Sequence, residues 1–355
     1  MDWLRKRHSR RCCEGCTKAG NTHGEMLLVT DMPAIIKQTK GDSYMFDVAC
    51  IGILVADLIA KPVDTIPGAG LLERIDSIGL YSGGCAMSAG IDMSKLGLKT
   101  AVLGKIGNDS FGEFLRSELL KYHVNCDGLA VDPSVQTSAS VVLSASEGER
   151  SFLHCIGANG TYGYHDVDFG IIQNSRIVFV AGTMLMDAFD GETSATVLRM
   201  AKEMNKITVL DTAWDSKGRW MNVLEPCMPY IDYFLPSMEE AAMLSGKRNP
   251  KEICDVFLDM GTQNVVIKNG EHGCYVHWKG ELMDIPPYRC GAVDTTGAGD
   301  SFCAGFITGL IKGLGILECG KFANAVGAHC VMEKGATTGI KSYEEIRAFM
   351  NQETI

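Results

Sequence analysis

The stretch at 294–300, DTTGAGD, concentrates groups that could do chemistry on an anion: two glycines, two threonine hydroxyls and two carboxylates. Apolar residues recur at every fourth position from Phe302 to Leu310, which predicts a buried helix that Gly297–Gly299 opens. Small residues at a helix start let an anion reach unpaired backbone N–H groups. Asp300 would then lie in the first turn, where its carboxylate could take a proton from a hydroxyl that attacks a phosphoryl group. The alternative is that Asp300 is a helix-start acid favoured by the helix dipole.

A second glycine pair, Gly83-Gly84, lies between a predicted strand and a helix that we expect to end at Gly97. Together with the 291–306 stretch, this segment resembles the two signatures of the ribokinase-like (PfkB) family of carbohydrate and nucleoside kinases. The resemblance covers almost everything that follows the first 45 residues. It implies that Asp300 is the catalytic base and that Gly297, Ala298 and Gly299 form the anion hole.

The resemblance also implies an acceptor site. The residues that it places around the acceptor hydroxyls are Asp57, Gly83, Gly84, Ser88 and Asn159. Asp57 follows the apolar run at 48–55, which predicts a buried parallel strand, and ligands bind at the carboxyl ends of such strands. Ser88 stands where the family usually has asparagine, so the sugar specificity stays open. Without the resemblance, Asp57 could be a turn acid or an N-cap, and the glycine pair could serve packing alone.

A third group of residues is assigned to the nucleotide and to metal ions. The residues assigned to the nucleotide are Ser237, Lys268, Gly270, Thr295, Asn324 and Ala328. The element at 235–241 resembles the family's Asn-x-x-Glu element, which implies that Glu240 organises Mg²⁺ through water. A helix-capping arrangement is the alternative for Glu240, and core packing accounts equally well for Asn324 and Ala328.

Two further residues belong to a cation prediction. Asp294 and Thr296 could join the loop at 335–339 around a monovalent cation such as potassium, as in some members of the resembling family.

The elements that must position these residues alternate between strands and helices, which predicts an α/β fold with a doubly wound, mostly parallel sheet flanked by helices. The stretches at about 61–82 and 126–156 have strand-like patterns that do not fit this alternation, so we expect them to form a small β-sheet lid. Residues 44–355 would form this ribokinase-like domain. Residues 1–43 show no sustained apolar period, and we expect them to be a disordered tail.

The composition excludes several classes of protein. The net charge of −10 argues against nucleic acid as a partner, because binding phosphates requires a basic face. No run of about 18 apolar residues predicts a membrane span. Most of the 14 cysteines stand singly in apolar runs, as is typical of reduced core residues in a cytoplasmic enzyme.

The sequence therefore predicts a kinase that uses ATP and Mg²⁺ to phosphorylate a primary hydroxyl of a small sugar, and that pairs as a homodimer through its lid. A nucleoside kinase of the same fold is the nearest alternative. A sensor of sugar or nucleotide without catalytic activity is a more distant one, because a carboxylate facing a phosphate gives a sensor no advantage.

Overall fold

The computed structural model describes residues 44–147 and 149–352, and the tail predicted at 1–43 lies outside them. The strands within these residues are β1 (Phe46–Gly52), β2 (Val55–Lys61), β3 (Ser77–Gly83), β4 (Thr100–Gly107), β5 (Leu129–Asp132), β6 (Ala139–Ser144), β7 (Arg150–Cys155), β8 (Ser175–Thr183), β9 (Ile207–Thr212), β10 (Tyr233–Phe234), β11 (Asn264–Lys268), β12 (Cys274–Trp278) and β13 (Glu281–Ile285). The α-helices are α1 (Cys85–Lys95), α2 (Ser110–Lys121), α3 (Phe169–Gln173), α4 (Glu192–Glu203), α5 (Met221–Leu224), α6 (Met238–Ser245), α7 (Pro250–Asp259), α8 (Ala298–Ile311), α9 (Ile316–Val331) and α10 (Tyr343–Gln352).

Nine strands form the main sheet in the order β13-β12-β11-β10-β9-β8-β1-β4-β5. The strands from β5 to β11 run parallel, and β12 and β13 are antiparallel to their neighbours. Val48 and Cys50 belong to one buried apolar cluster, and Ala49 and Ile51 belong to another. Because successive side chains of a strand point to opposite faces, the two clusters cover opposite faces of the sheet. The predicted doubly wound arrangement is confirmed.

A second sheet of four strands, in the order β3-β2-β6-β7, forms the lid. Its boundaries differ from the prediction. The apolar run at 48–55 is not one strand, because β1 ends at Gly52 in the main sheet and β2 begins at Val55 in the lid. The lid therefore starts at Val55 rather than near residue 61, and Asp57 lies within a lid strand. An unbroken apolar run does not indicate where one strand ends and the next begins.

The second lid stretch, predicted at 126–156, also needs correction. Its first strand, β5, pairs in parallel with β4 at the edge of the main sheet. Only β6 and β7 belong to the lid, where they pair with each other in antiparallel register. Short strands of similar composition do not reveal their sheet, because membership depends on partners that are distant in sequence.

The register of the lid sheet defines its two faces. Asp57 lies opposite both Tyr81 and Ser140, and Ser140 lies opposite His154, so these four side chains share one face. The inner lid face consists of Asp57, Tyr81, Ser140, Arg150, Phe152 and His154. The outer lid face consists of the apolar residues Ile78, Leu80, Val141 and Leu153, all of them exposed.

The Asp109 side chain caps the start of α2, where its carboxylate accepts a hydrogen bond from the Gly112 N–H. The short α5 is followed by a 3₁₀ segment, Glu225–Tyr230, in which Pro226 and Pro229 cannot donate helical hydrogen bonds. Among the described residues, no helix combines the length and the apolarity needed to cross a membrane.

Candidate active site

The residues at the start of α8 are small, so a ligand can approach this helix N-terminus. Gly297 is its N-cap, with a left-handed φ of 78°. A Cβ atom at this position would lie 2.6 Å from the Ala336 carbonyl oxygen, so both the conformation and the packing require glycine. Ala298 and Gly299 follow without bulky side chains, and Asp300 lies half-buried in the first turn. A helix N-terminus and a carboxylate therefore adjoin each other here, and the Ala298 N–H donates to the Thr295 carbonyl.

The environment of Asp300 favours a basic carboxylate. Burial raises the pKa of Asp300 above its ordinary value, and the charge of Glu240 adds to this effect. The Lys268 ammonium and a hydrogen bond from the Cys85 thiol act in the opposite direction without cancelling it. A carboxylate with a raised pKa is a stronger base, which suits the removal of a proton from a hydroxyl.

The glycine pair brings the start of α1 to the same place. β3 ends at Gly83, and Gly84 has a φ of 97° that turns the chain into α1. Any side chain at Gly83 would collide with the Asp57 carboxylate, so this acid lies directly against the pair. The next residue, Cys85, carries the thiol that contacts Asp300. The predicted site residues Asp57, Gly83, Gly84 and Asp300 therefore meet where α1 and α8 begin.

The other two predicted acceptor residues are buried. Ser88 lies in α1 and is 2% exposed, with its backbone N–H bonded to the Gly84 carbonyl. The Asn159 side chain donates to the Leu54 carbonyl at 2.9 Å and accepts from the Leu54 N–H at 3.2 Å. Asn159 thereby holds the junction between β1 and the lid. Contact between either side chain and an acceptor stays a prediction.

Asp211 is a site residue that the sequence analysis missed. It lies near the carboxyl end of β9, and its Oδ1 accepts a hydrogen bond of 2.6 Å from the Lys268 Nζ. The two side chains are 3% and 12% exposed. A Cβ atom at Gly299 would lie 3.5 Å from the Lys268 Nζ, so this ion pair borders the anion hole. The signal available in the sequence was an acid at the end of a buried parallel strand.

The protonation of this ion pair follows from its surroundings. Burial lowers the pKa of Lys268, but the negative charges around it, chiefly Asp211, raise it by more than burial lowers it. The ammonium therefore stays charged. Burial raises the pKa of Asp211 to about 7, with Glu240 and Asp300 adding to the rise and Lys268 opposing it. A buried cation beside an anion hole can neutralise charge on a phosphate.

Glu240 has the capping contacts of the alternative interpretation. Its N–H donates to the Ser237 Oγ at 3.2 Å, and its Oε2 accepts from the Ser237 N–H at 3.0 Å. The same Oε2 accepts from the Thr212 hydroxyl at 3.0 Å. Glu240 is nevertheless close enough to raise the pKa of Asp211 and Asp300. Its carboxylate is therefore anchored at the site by the cap.

The donor set is compatible with Mg²⁺ held indirectly. Across residues 44–147 and 149–352, no group of three or more His, Cys, Asp or Glu side chains could hold a metal ion. Mg²⁺ at nucleotide sites usually takes most of its ligands from phosphate oxygens and water.

The remaining nucleotide predictions fall on three parts of the fold: α9, the β11–β12 turn and the loop before α8. The Asn324 amide, in α9, donates to the carbonyls of Ile285 and Pro286 at 3.2 and 3.0 Å, and Ala328 lies buried one turn later. Asn324 thus holds the end of β13. Gly270, with a φ of 54°, opens the β11–β12 turn, where a side chain would meet no other atoms. Thr295 is exposed, and its carbonyl accepts from the Ala298 N–H. None of these contacts tests nucleotide binding.

Asp294 and Thr296, the predicted ligands of a monovalent cation, both contact an arginine from the lid. The Arg150 Nη2 lies 3.0 Å from the Asp294 Oδ1, and the Arg150 Nη1 donates to the Thr296 hydroxyl. Asp294 also accepts from the backbone N–H groups of Thr296 and Gly335.

Comparisons with known proteins agree with this geometry. Residues 45–342 match the pfkB family of carbohydrate kinases. An uncharacterised sugar kinase of Archaeoglobus fulgidus is 28% identical over 250 residues, which cover 70% of this chain and 97% of the relative. Fructokinase-2 of Zea mays is 27% identical over 292 residues, which cover 77% of this chain and 87% of that enzyme.

A solved structure shows the same fold. The ribokinase of Arabidopsis thaliana, in complex with ribose and ATP, superposes with a TM-score of 0.76 at 23% identity, over 86% of this chain and 98% of that one. This likeness confirms the predicted ribokinase-like fold, and the family match spans most of the chain with both signatures inside it. The chain therefore belongs to the pfkB family of carbohydrate kinases.

Proposed function

We propose that this protein is an ATP-dependent kinase that transfers the γ-phosphate to a primary hydroxyl of a small sugar. The observation that carries the proposal is the position of Asp300. Its carboxylate lies in the first turn of α8, directly after the open Gly297–Gly299 backbone and against the start of α1. A base, an anion hole and a glycine-lined acceptor site thus adjoin one another.

The chemistry follows from these positions. Asp300 takes the proton from the acceptor hydroxyl as the hydroxyl oxygen bonds to the γ-phosphorus. The bond from this phosphorus to the bridging oxygen breaks, and ADP leaves. The backbone N–H groups of Gly297 and Gly299 stabilise the equatorial oxygens of the transferring group, and the small Ala298 side chain between them leaves room for it. The Lys268 ammonium adds a fixed positive charge beside them. Asp57 orients the acceptor from the lid, together with Gly83, Gly84, Ser88 and Asn159.

The cofactors of the proposal are ATP and Mg²⁺. Mg²⁺, when bound, would neutralise charge on the phosphates, and Glu240 would help to hold its water shell. The residues that would line the nucleotide site are Ser237, Lys268, Gly270, Thr295, Asn324 and Ala328. The proposal does not include potassium, because the Arg150 guanidinium contacts Asp294 and Thr296, the two residues predicted to bind it.

A screen for ADP release tests the assignment. Pentoses, ketohexoses, sugar acids and nucleosides are each incubated with the protein, ATP and Mg²⁺, with ATP binding measured in parallel. We expect turnover with at least one sugar. Turnover with nucleosides alone would overturn the sugar assignment. Tight ATP binding without turnover for any acceptor would indicate a sensor.

A nucleoside kinase of the same fold is the second candidate, and one observation favours it. The inner lid face exposes two aromatic rings, with Tyr81 45% and Phe152 62% exposed. Flat rings over an acceptor site can stack on a nucleobase, although they also pack against the apolar face of a sugar. The nucleoside arm of the screen separates these two acceptors.

Two further parts of the proposal concern the surroundings of the enzyme. The outer lid face is apolar and exposed, with Ile78 68% and Leu153 66% exposed, which supports a homodimer in which two lids cover each other. Most of the cysteines among the described residues are buried, as is typical of reduced core residues, which supports a reducing compartment such as the cytoplasm.

A further inference from the structure

We propose that Arg150 is a built-in cation, which takes the place of a monovalent metal ion between Asp294 and Thr296 and fastens the lid to the loop before the anion hole. This inference rests on the proposed kinase function. Arg150 is the first residue of β7 and lies on the inner lid face. It reaches a loop 146 residues further along the chain.

The Asp294 carboxylate requires a positive partner. Its side chain is only 9% exposed, and an ionised carboxylate at such a position is costly without compensation. The carboxylate accepts hydrogen bonds from the backbone N–H groups of Thr296 and Gly335 and lies 3.0 Å from the Arg150 guanidinium. Arg150 is therefore a cation that faces this nearly buried acid.

The docked Arg150 contacts oxygens that a metal ion at this site would bind. The Asp294 Oδ1 accepts from both the Arg150 guanidinium and the Thr296 N–H, and its Oδ2 accepts from the Gly335 N–H. Arg150 also donates to the Thr296 hydroxyl. A metal ion needs oxygen lone pairs directed at it, whereas here these oxygens face N–H donors. A guanidinium and a metal ion therefore compete for the Asp294 Oδ1 and the Thr296 hydroxyl.

The docked guanidinium links two functional elements. Thr296 directly precedes Gly297, the N-cap of α8, so holding Thr296 restrains the backbone that forms the anion hole. Arg150 enters from the lid, so this restraint exists only while the lid lies over the site. Arg150 is thus a positioning residue, and the enzyme should form its anion hole without potassium.

The test compares the full-length chain with Arg150→Met and with a matched control, Arg74→Met. Arg74 is an exposed arginine between β2 and β3, so its replacement removes the same charge from the lid region. Each protein is measured across a potassium chloride series, with tetramethylammonium chloride holding the ionic strength constant. The readouts are the melting temperature, hydrogen exchange of the 291–299 segment, and turnover with the acceptor found in the screen.

We expect potassium to leave all three readouts of the wild type and of Arg74→Met unchanged. Without potassium, Arg150→Met should exchange faster at 291–299 and lose about tenfold in turnover, the lower end of the range for losing a contact that orients a cation site. Potassium should then restore protection and raise the melting temperature of Arg150→Met, because the vacated Asp294 can bind it.

Three results would overturn the inference. One is a wild type whose melting temperature or turnover rises with potassium. Another is an Arg150→Met variant whose 291–299 segment, without potassium, exchanges hydrogen as slowly as that of Arg74→Met. The third is an Arg150→Met variant that does not respond to potassium. Exchange and melting need no acceptor, so they decide the role of Arg150 even if the proposed kinase activity fails.

Discussion

The carboxylate of Asp300 is the smallest feature on which the proposed activity depends. Asp300→Asn keeps the size of the side chain and loses the favourable interaction of its charge with the helix dipole, which should cost at most about 1 kcal/mol of stability. Loss of a positioned general base should lower turnover by at least about 10²-fold. The affinity for ATP should stay equal or improve, since a repulsion with the γ-phosphate disappears. A kinase assay and an ATP titration measure both.

The ATP titration and the melting temperature serve as internal controls for folding of the Asp300→Asn variant. Turnover within a few-fold of the wild type would return Asp300 to the helix-start role.

Cys85 provides a pH-dependent test of the same site. The base acts as a carboxylate, so turnover should fall as the pH drops through its raised pKa. The Cys85 hydrogen bond lowers the pKa of Asp300 against the larger effect of burial. Cys85→Ala should therefore move the acidic limb of the pH–turnover profile to higher pH and leave the plateau nearly unchanged. Cys155→Ala, which removes an exposed thiol from the lid, should not move this limb.

The ion pair of Asp211 and Lys268 should contribute to folding as a unit. Asp211→Asn or Lys268→Met alone leaves a buried charge without its partner, which should cost about 3 kcal/mol of unfolding free energy. The double variant should lose much less than the sum, because neither charge remains. Denaturant unfolding of the wild type, the two single variants and the double variant completes this double-mutant cycle. Additive losses of unfolding free energy would mean that the two side chains act independently.

At the scale of an element, the start of α6 combines a cap with a proposed metal role. Glu240→Gln should raise the Mg²⁺ requirement of turnover by about 10–100-fold, the usual effect of losing an outer-shell metal contact. Ser237→Ala removes the capping hydroxyl but keeps the carboxylate, so it should cost about 1 kcal/mol of stability. Mg²⁺ titrations of both variants separate the two roles.

The Mg²⁺ curve of Ser237→Ala should stay close to that of the wild type. If Glu240→Gln also leaves this curve unchanged, Glu240 serves only as the partner in the cap.

At the scale of the whole molecule, the outer lid face should hold two copies together. Ile78→Asp places a charge in the centre of an apolar contact, which should convert the proposed dimer to a monomer. Ile66→Asp is the matched control, since Ile66 is 76% exposed but lies between β2 and β3, outside the lid strands. Light scattering of the purified proteins gives the mass. A monomeric wild type would contradict the pairing of lids.

Much of this protein could be predicted from local patterns. The glycines at 297 and 299, the acid at 300 and the apolar period after them define a helix start within a few residues. The alternation of strands and helices predicts the doubly wound sheet for the same reason. Conformation and periodicity act over one or two turns of chain, so the sequence displays them directly.

The tertiary structure alone decided which distant residues meet. Asp211 and Lys268 are 57 positions apart, and Arg150 and Thr296 are 146 apart. No local pattern distinguishes a surface arginine from one that neutralises a buried carboxylate across the molecule. The break between β1 and β2 was hidden as well, because both strands are apolar at that point. These features depend on which surfaces the folded sheets bring together, and that is a property of the packed chain rather than of any segment.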